Sequence, residues 1–223
     1  MSAPERRAGR RAPRARLVPP EHVYPVEEWK LLETRYYPRF RAQTESLFAL
    51  SNGYLGQRGD FEEGAPVEDG GSYLNGFYET WPIVYGEEAY GFARMGQTIV
   101  NVPHGVILRL YVDDEPFELE KANLLEFRRT LDMQAGTLAR EILWETPAGK
   151  RISIRSRRMV SIVHRHLAVV DYQVTVHNRD AHLVVASELV SRTHRDEDGP
   201  EAGQKTTKNE LVSRSDAPAS HSR

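Results

Sequence analysis

Thr137 to Arg158 reads TLAREILWETPAGKRISIRSRR. In its second half Ile152 and Ile154 alternate with Arg151, Ser153, Arg155 and Arg157, the period-two pattern of a strand with one buried and one cationic face. Pro147-Ala148-Gly149 is a turn signal, and TLAREILWE before it has strand character of its own. The same grammar extends outward. HLAVVDYQVTV (His166 to Val176) and LVVASEL (Leu183 to Leu189) flank the polar turn His177 to His182. Gly105 to Val112 stops at Asp113-Asp114-Glu115-Pro116, where proline cannot continue a central ladder. Leu124 to Leu131 and Gly96 to Val102 complete a set of short strands, and only Val26 to Tyr37, closed by Pro38, has room for a short helix. The spacing predicts an all-β fold, a large antiparallel β-sandwich.

The chain has 223 residues, a formal net charge of −2 and no cysteine, which excludes a disulfide framework, a thiol nucleophile and thiolate metal ligands. Its mean hydropathy of −0.57 and the lack of any long apolar run fit neither full disorder nor a spanning helix. Charge is uneven: residues 1–16 carry six arginines against one glutamate, or +5, leaving −7 for the rest. A mildly acidic body gives no general affinity for nucleic acid, and the arginine arm lacks the apolar core of a secretory signal, so a cytoplasmic location is expected. Residues 1–24 read as a disordered basic arm, 25–192 as the sandwich and 193–223 as a disordered polar tail, with Leu211 and Val212 the only large aliphatics from Thr193 onward.

The window ESLFALSNGYLGQRGDFEEGAPVEDGGSYLNGFYETW, Glu45 to Trp81, is different in kind. It holds seven of the sixteen glycines and seven of the twenty aromatics, so close backbone approach and flat ring surfaces are concentrated there. Asn52-Gly53 predicts a hairpin turn between Ser46–Ser51 and Tyr54–Arg58. In the loop from Gly70 to Trp81, Tyr73, Asn75, Phe77, Tyr78 and Glu79 are the candidate sugar-contacting residues: rings stack on C–H faces, and the amide and carboxylate meet hydroxyls. The competing reading makes these rings core anchors. Trp81 is expected in the core, because Pro82 and Ile83 continue an apolar run. Glu62 and Glu63 would point to opposite faces of a strand, and read as a turn and a solvated charge unless the backbone is irregular there.

These residues carry a resemblance. Glu45, Ser46, Phe48, Asn52, Gly53, Gly56, Arg58 and Gly59, then Glu62-Glu63, then Gly71, Tyr73, Gly76, Tyr78 and Glu79 match the N-terminal domain pattern of glycoside hydrolase family 65, the family of maltose, trehalose and kojibiose phosphorylases. The resemblance extends over about Val26 to Arg192 and implies a supersandwich-like domain that precedes a catalytic (α/α)6 barrel. It places the general acid and the phosphate-binding residues in that barrel, so no catalytic residue is assigned to this chain. It further implies a barrel partner in cis or in trans, an α-linked disaccharide as ligand and a homodimer in the full-length enzymes. The chain therefore reads as a family member truncated before the barrel.

Other chemical signals are weaker. His164 and His166 lie on one face of a predicted strand but have no third ligand nearby, so no metal site is assigned. Arg155, Arg157 and Arg158 have cross-strand partners in Glu141 and Glu145, which favours pairing over anion binding. No phosphate loop, nucleophile elbow or zinc helix is present, and no cofactor is expected. Two functions stand: a non-catalytic module supporting the sugar site of an α-glucoside phosphorylase or hydrolase, and an autonomous carbohydrate-binding module using loop 70–81.

Overall fold

The computed structural model describes residues 20–64, 71–87, 89–191 and 207–209. The central hairpin is the one read from the sequence: β10 (Thr137–Glu145) and β11 (Arg151–Val160) pair from Thr137 with Met159 to Glu145 with Arg151, and Gly149 takes the left-handed backbone (φ 75°) that closes the turn. Around it the chain builds β1 (Val26–Glu27), β2 (Lys30–Glu33), β9 (Asn123–Asp132) and β12 (Ala168–Val176) into a six-stranded sheet in the order β1-β2-β9-β10-β11-β12. A second sheet runs β14-β13-β7-β8, from β7 (His104–Val112), β8 (Glu115–Pro116), β13 (Leu183–Ser191) and β14 (Thr207–Asn209). All pairings are antiparallel.

The two sheets close on one core. Phe127, Ile142, Trp144, Ile152 and Ile154 from the larger sheet pack with Leu110 and Val112 of β7, with Leu183 and Val185 of β13, and with Phe61, Phe117 and Leu119. The inward positions are the period-two set of the sequence, so the all-β sandwich is as expected. Asp113 and Asp114 both have positive φ (48° and 69°), which gives β7 and β8 a tight turn. Asp113 is held there by Lys150 and by the His182 N–H at 2.8 Å.

A third sheet, β3-β4-β5-β6, sits at one end and is made of β3 (Leu50–Ser51), β4 (Leu55–Gln57), β5 (Ser72–Pro82) and β6 (Met95–Val102). Here the sequence expectations need correction. Val26 to Tyr37 is no helix. Trp29 (φ 61°) turns β1 into β2, and β2 pairs with β9 because Leu32 and Glu33 are both buried there. The helix lies later, at α1 (Arg41–Leu47), and Pro38 starts its 3-10 entry turn, where a missing N–H costs nothing. That helix takes Ser46, so the hairpin arms around Asn52-Gly53 shorten to β3 and β4.

Of the expected basic arm, Pro20 to Tyr24 are described, and Val23 is fully buried. Of the expected polar tail, Thr207–Asn209 are described and pair with β13; the remainder of both stretches lies outside the described residues. No helix among the described residues is long and apolar enough to cross a membrane.

Gly59 is buried against Phe48, and a β-carbon at position 59 would stand 2.6 Å from that of Phe48. Gly59→Ala is expected to cost about 1–3 kcal/mol by overpacking. Urea unfolding checks this, and an unchanged midpoint would contradict the packing described.

Candidate functional site

Two polar constructions meet at the end of the sandwich, one buried and one open. The buried one begins with Arg140, an inward residue of β10, 2% exposed. A buried guanidinium is tolerated only when paired. Arg140 binds both oxygens of Glu63 at 2.7 Å each and Glu62 Oε2 at 2.8 Å. Glu62 also accepts from Ser156 Oγ at 2.9 Å and lies 3.2 Å from Arg158 Nε, while Arg158 donates to the Asp60 carbonyl. Arg129 pairs with Glu33 at 3.0 Å, donates to the Gly59 carbonyl at 2.8 Å and lies between the Phe48 and Phe61 rings, 4.2 and 4.3 Å from their centroids. Arg41 holds Glu45 at 2.9 Å one helical turn away.

Glu62 and Glu63 are thus neither solvated nor opposed. They stand in a turn, where strand alternation does not apply, and both point inward. Their partner Arg140 lies 77 positions from Glu63, beyond any local pattern. Arg158 also departs from the expected surface pairing and is buried. Arg155 does pair with Glu141, at 3.7 Å, and Arg151 rather than Arg157 meets Glu145, at 3.3 Å.

Burial raises the Glu62 carboxyl, but Arg140 and Arg158 outweigh it and hold the group below the usual carboxylate range. Burial wins at Glu33 and Glu45, which are raised despite Arg129 and Arg41. Burial likewise lowers Arg140, but Glu62 and Glu63 reverse this and leave it raised. All of these groups are buried, and each is paired with an opposite charge inside the sandwich.

The open construction is organised by Asn52. Its Oδ1 accepts the Tyr54 and Leu55 N–H groups at 3.0 and 2.8 Å, which forms the turn, with Gly53 at φ 85°. Its Nδ2 donates to the Ser161 and Arg165 carbonyls at 2.6 and 3.0 Å, which fastens loop 161–167 beside the turn. His166 meets the Tyr54 ring edge-on at 4.6 Å, and Arg165 lies 4.9 Å above it. His164 and His166 therefore belong to this loop and not to a strand, which begins at Ala168. No group of three or more metal-ligating residues occurs among the described residues. Ile162 and Val163 are more than 80% exposed at the outer side of the loop.

Asn75 joins β5 to the same turn. Its N–H donates to the Tyr54 carbonyl at 2.8 Å, its Nδ2 to the Gly53 carbonyl at 3.3 Å, and its Oδ1 accepts from the Tyr78 hydroxyl at 2.5 Å. The β5–β6 register breaks between Tyr73, opposite Asn101, and Tyr78, opposite Ile99. Four residues on β5 thus face one on β6, and Gly76 (φ 99°) makes the bend. Tyr73 lies below this bulge, half-buried beside Gly56. Asn75, Phe77, Tyr78 and Glu79 lie on or above it, exposed. The structure brings Asn75, Tyr78 and Tyr54 together and leaves Tyr73 on the body side. Trp81 is not core: it is 46% exposed, because β5 has left the body as a two-stranded ribbon, and its ring instead covers Gly96, the residue opposite. A shallow polar groove of about 410 Å³ crosses the outer face of β9–β11, between Glu126, Glu141, Arg151, Arg155 and His177.

Residues 31–221 match the model of the glycosyl hydrolase family 65 N-terminal domain, and the chain belongs to that family. It is 46% identical over 181 residues to an uncharacterized glycosyl hydrolase of Mycobacterium leprae, covering 81% of this chain and 22% of that protein. It is 42% identical over 154 residues to an alpha,alpha-trehalose phosphorylase of Thermoanaerobacter brockii, covering 67% of this chain and 20% of that one. The fold is that of a putative kojibiose phosphorylase from the human microbiome (TM-score 0.64, 24% identity, 77% of this chain and 23% of that chain). The chain thus spans about a fifth of the length of these relatives.

Glu62→Gln would leave two buried guanidiniums short of their anion and is expected to cost about 3–5 kcal/mol at pH 7. The Glu62 contribution is complete above the unfolded glutamate value of about 4.3 and is lost as pH falls through the depressed folded value. Glu33 and Glu45 act with the opposite sign, since protonation relieves their burial. The gap in melting temperature between wild type and Glu62→Gln should therefore narrow below about pH 4; a gap independent of pH would contradict the pairing.

Proposed function

We propose that the chain is the non-catalytic N-terminal module of an α-glucoside (disaccharide) phosphorylase or hydrolase, and that it supports the sugar site of a separate (α/α)6 barrel in cis or in trans. The family match over most of a chain that spans a fifth of its relatives carries this reading. The geometry supports it. The inward carboxylates Glu33, Glu45, Glu62 and Glu63 each face an arginine inside the sandwich, whereas Asn75, Phe77, Tyr78 and loop 161–167 stand open around the Asn52 turn. That end, with Ile162 and Val163 exposed and Ser161 buried behind them, is the proposed face toward barrel and sugar. Tyr78, with its hydroxyl fixed by Asn75, and Glu79 are proposed nearest the disaccharide.

A second reading, an autonomous carbohydrate-binding module, draws on the same observation that Phe77 and Tyr78 are 51% and 43% exposed. Tyr73, half-buried on the body side, contributes least to such a platform.

The purified chain is expected to release neither glucose nor glucose 1-phosphate from α,α-trehalose or kojibiose, with or without phosphate. Glycosidic cleavage needs a protonated carboxyl at the leaving oxygen and an acceptor held opposite it. The T. brockii trehalose phosphorylase with its own N-terminal fifth replaced by this chain should phosphorolyse trehalose, and Phe77→Ala with Tyr78→Ala should lower its kcat/KM at least tenfold. Turnover by the chain alone would overturn the non-catalytic role. Millimolar or tighter disaccharide binding by the chain alone would favour the second reading.

A further inference from the structure

The outer face of the larger sheet carries a groove remote from the Asn52 end. Its floor is the pair Leu143 and Ser153, opposite each other on β10 and β11 and both half-buried. Two positions to either side stand longer pairs, Glu141 opposite Arg155 and Glu145 opposite Arg151, which bound the trough. The row through its floor continues to Glu126 on β9 and Thr175 on β12. With strands about 4.8 Å apart and a rise of about 3.4 Å per residue, the trough is about 14 Å long and about 14 Å wide at the backbone. Its volume of about 410 Å³ falls in the range of small-ligand clefts. A second cavity of about 540 Å³, with Lys121, Asn123 and Glu145 in its lining, adjoins it across the Glu145–Arg151 pair.

The charged side chains here are little spent on one another. Glu141 and Arg155 stand 3.7 Å apart, beyond hydrogen-bond distance, and both are exposed. Glu126 and Arg128 form no ion pair among the described residues, although Arg128 lies opposite Glu141. One wall is fixed in advance. His177 Nε2 and Ser153 Oγ share a 2.6 Å hydrogen bond, the His177 N–H donates to the Arg151 carbonyl at 3.0 Å, and the Arg151 N–H donates to Asn178 Oδ1 at 2.8 Å. The mixture of charges then selects the ligand. Carboxylates only accept hydrogen bonds and guanidiniums only donate them. An anion drawn to Arg151 and Arg155 meets Glu126 and Glu141, and a cation meets the reverse conflict. A hydroxyl does both, so neighbouring hydroxyls of one molecule donate to the glutamates while accepting from the arginines. Leu143 supplies an apolar floor for the C–H face of a ring.

We propose that this trough is a binding site for a neutral carbohydrate, one or two sugar rings in length, separate from the proposed barrel and sugar face. Loop 161–167 begins beyond the far end of β11, about 26 Å along the strand from Ser153 at about 3.3 Å per residue. No residue of the trough belongs to the ribbon or to that loop. The site is therefore independent of the module's supporting role, and its task is to retain a saccharide, not to cleave one. An open, wet groove of this kind gives a Kd on the order of 1–10 mM.

The test is amide NMR of the isotope-labelled 223-residue chain, titrated with maltose and α,α-trehalose. Inorganic phosphate and glycine betaine serve as the anionic and zwitterionic comparisons. Saturable shifts at Leu143, Ser153, Arg155 and His177 are expected with at least one disaccharide, and none there with phosphate or betaine. Glu126→Ala and Arg155→Ala, both at exposed positions, should each weaken sugar binding at least fivefold with the melting temperature unchanged. Tyr78→Ala should leave binding in the trough as it is, which separates this site from a platform on the ribbon. Sugar-induced shifts confined to the ribbon or to loop 161–167 would overturn the proposal. So would a stronger response of the trough to phosphate or betaine than to sugar, or wild-type affinity in both alanine variants. The absence of any saturable response to either disaccharide at about 100 mM, well above the expected Kd, would overturn it as well.

Discussion

Arg140 is buried at the middle of the central hairpin, and much of the rest follows from the need to neutralise it. A guanidinium taken out of water loses several kcal/mol of solvation unless carboxylates follow it inside. The chain supplies two that are adjacent in sequence, Glu62 and Glu63, and this pulls the turn after Phe61 into the sandwich. The Leu108 N–H then bonds the Glu62 carbonyl at 2.7 Å, which sews the turn to β7, so one ion cluster ties the third sheet to both others. Arg158 and Arg129 extend the lattice to β11, β9 and β2. Among the described residues, the buried carboxylates number five (Glu33, Glu45, Asp60, Glu62, Glu63) and the buried arginines four (Arg41, Arg129, Arg140, Arg158). Asp60, the one carboxylate whose side chain is not bound to an arginine here, faces His104 Nε2 at 3.3 Å.

That last contact lies where the rigid part gives way to the open one. His104 is the first residue of β7, and its Nδ1 shares a 3.0 Å hydrogen bond with Ser72, the first residue of β5. The foot of the ribbon is thereby fixed to the sandwich where β5 begins. Further along β5, Trp81 is half exposed and its ring lies over Gly96, the residue opposite on β6. The transition falls at Gly76, where four residues bulge against one. A rigid foot, a glycine bend and an uncovered arm are what a surface element needs if it is to be held in place by a partner.

The sandwich was legible because its strands obey a rule local to each strand. Ile152 and Ile154 alternate with polar neighbours whatever lies across from them, and the turn residues around Gly149 and Asp113-Asp114 announce themselves. The Asn52-Gly53 turn was legible for the same reason, whereas the sequence left the Tyr78 ring open between an exposed and a core position. What was not legible depends on partners far along the chain. The inward Glu62 and Glu63 need Arg140, and the inward Arg158 needs Glu62. β2 as a strand needs Arg129 to take up Glu33. Trp81 differs in kind: the apolar run Trp81-Pro82-Ile83 suggests core, but it belongs to a ribbon that leaves the core, which the β5–β6 register shows. A signal for the buried lattice was present, since Arg129, Arg140 and Arg158 occupy positions that the period-two pattern assigns to the buried face of their strands; three such arginines require acids inside.

The stretch from Glu45 to Glu63, by which the family is recognised, therefore has an architectural task. It provides the helix acid that holds Arg41, the turn that fastens loop 161–167, the glycine that lets Phe48 approach, and the carboxylates that neutralise β10 and β11. Each requirement is set by the sandwich itself, through contacts within the described residues. A motif of this kind marks descent and fold more firmly than chemistry. What the lattice leaves unconstrained is the ribbon above Gly76 and the outer side of loop 161–167, where the exposed residues of this end are concentrated.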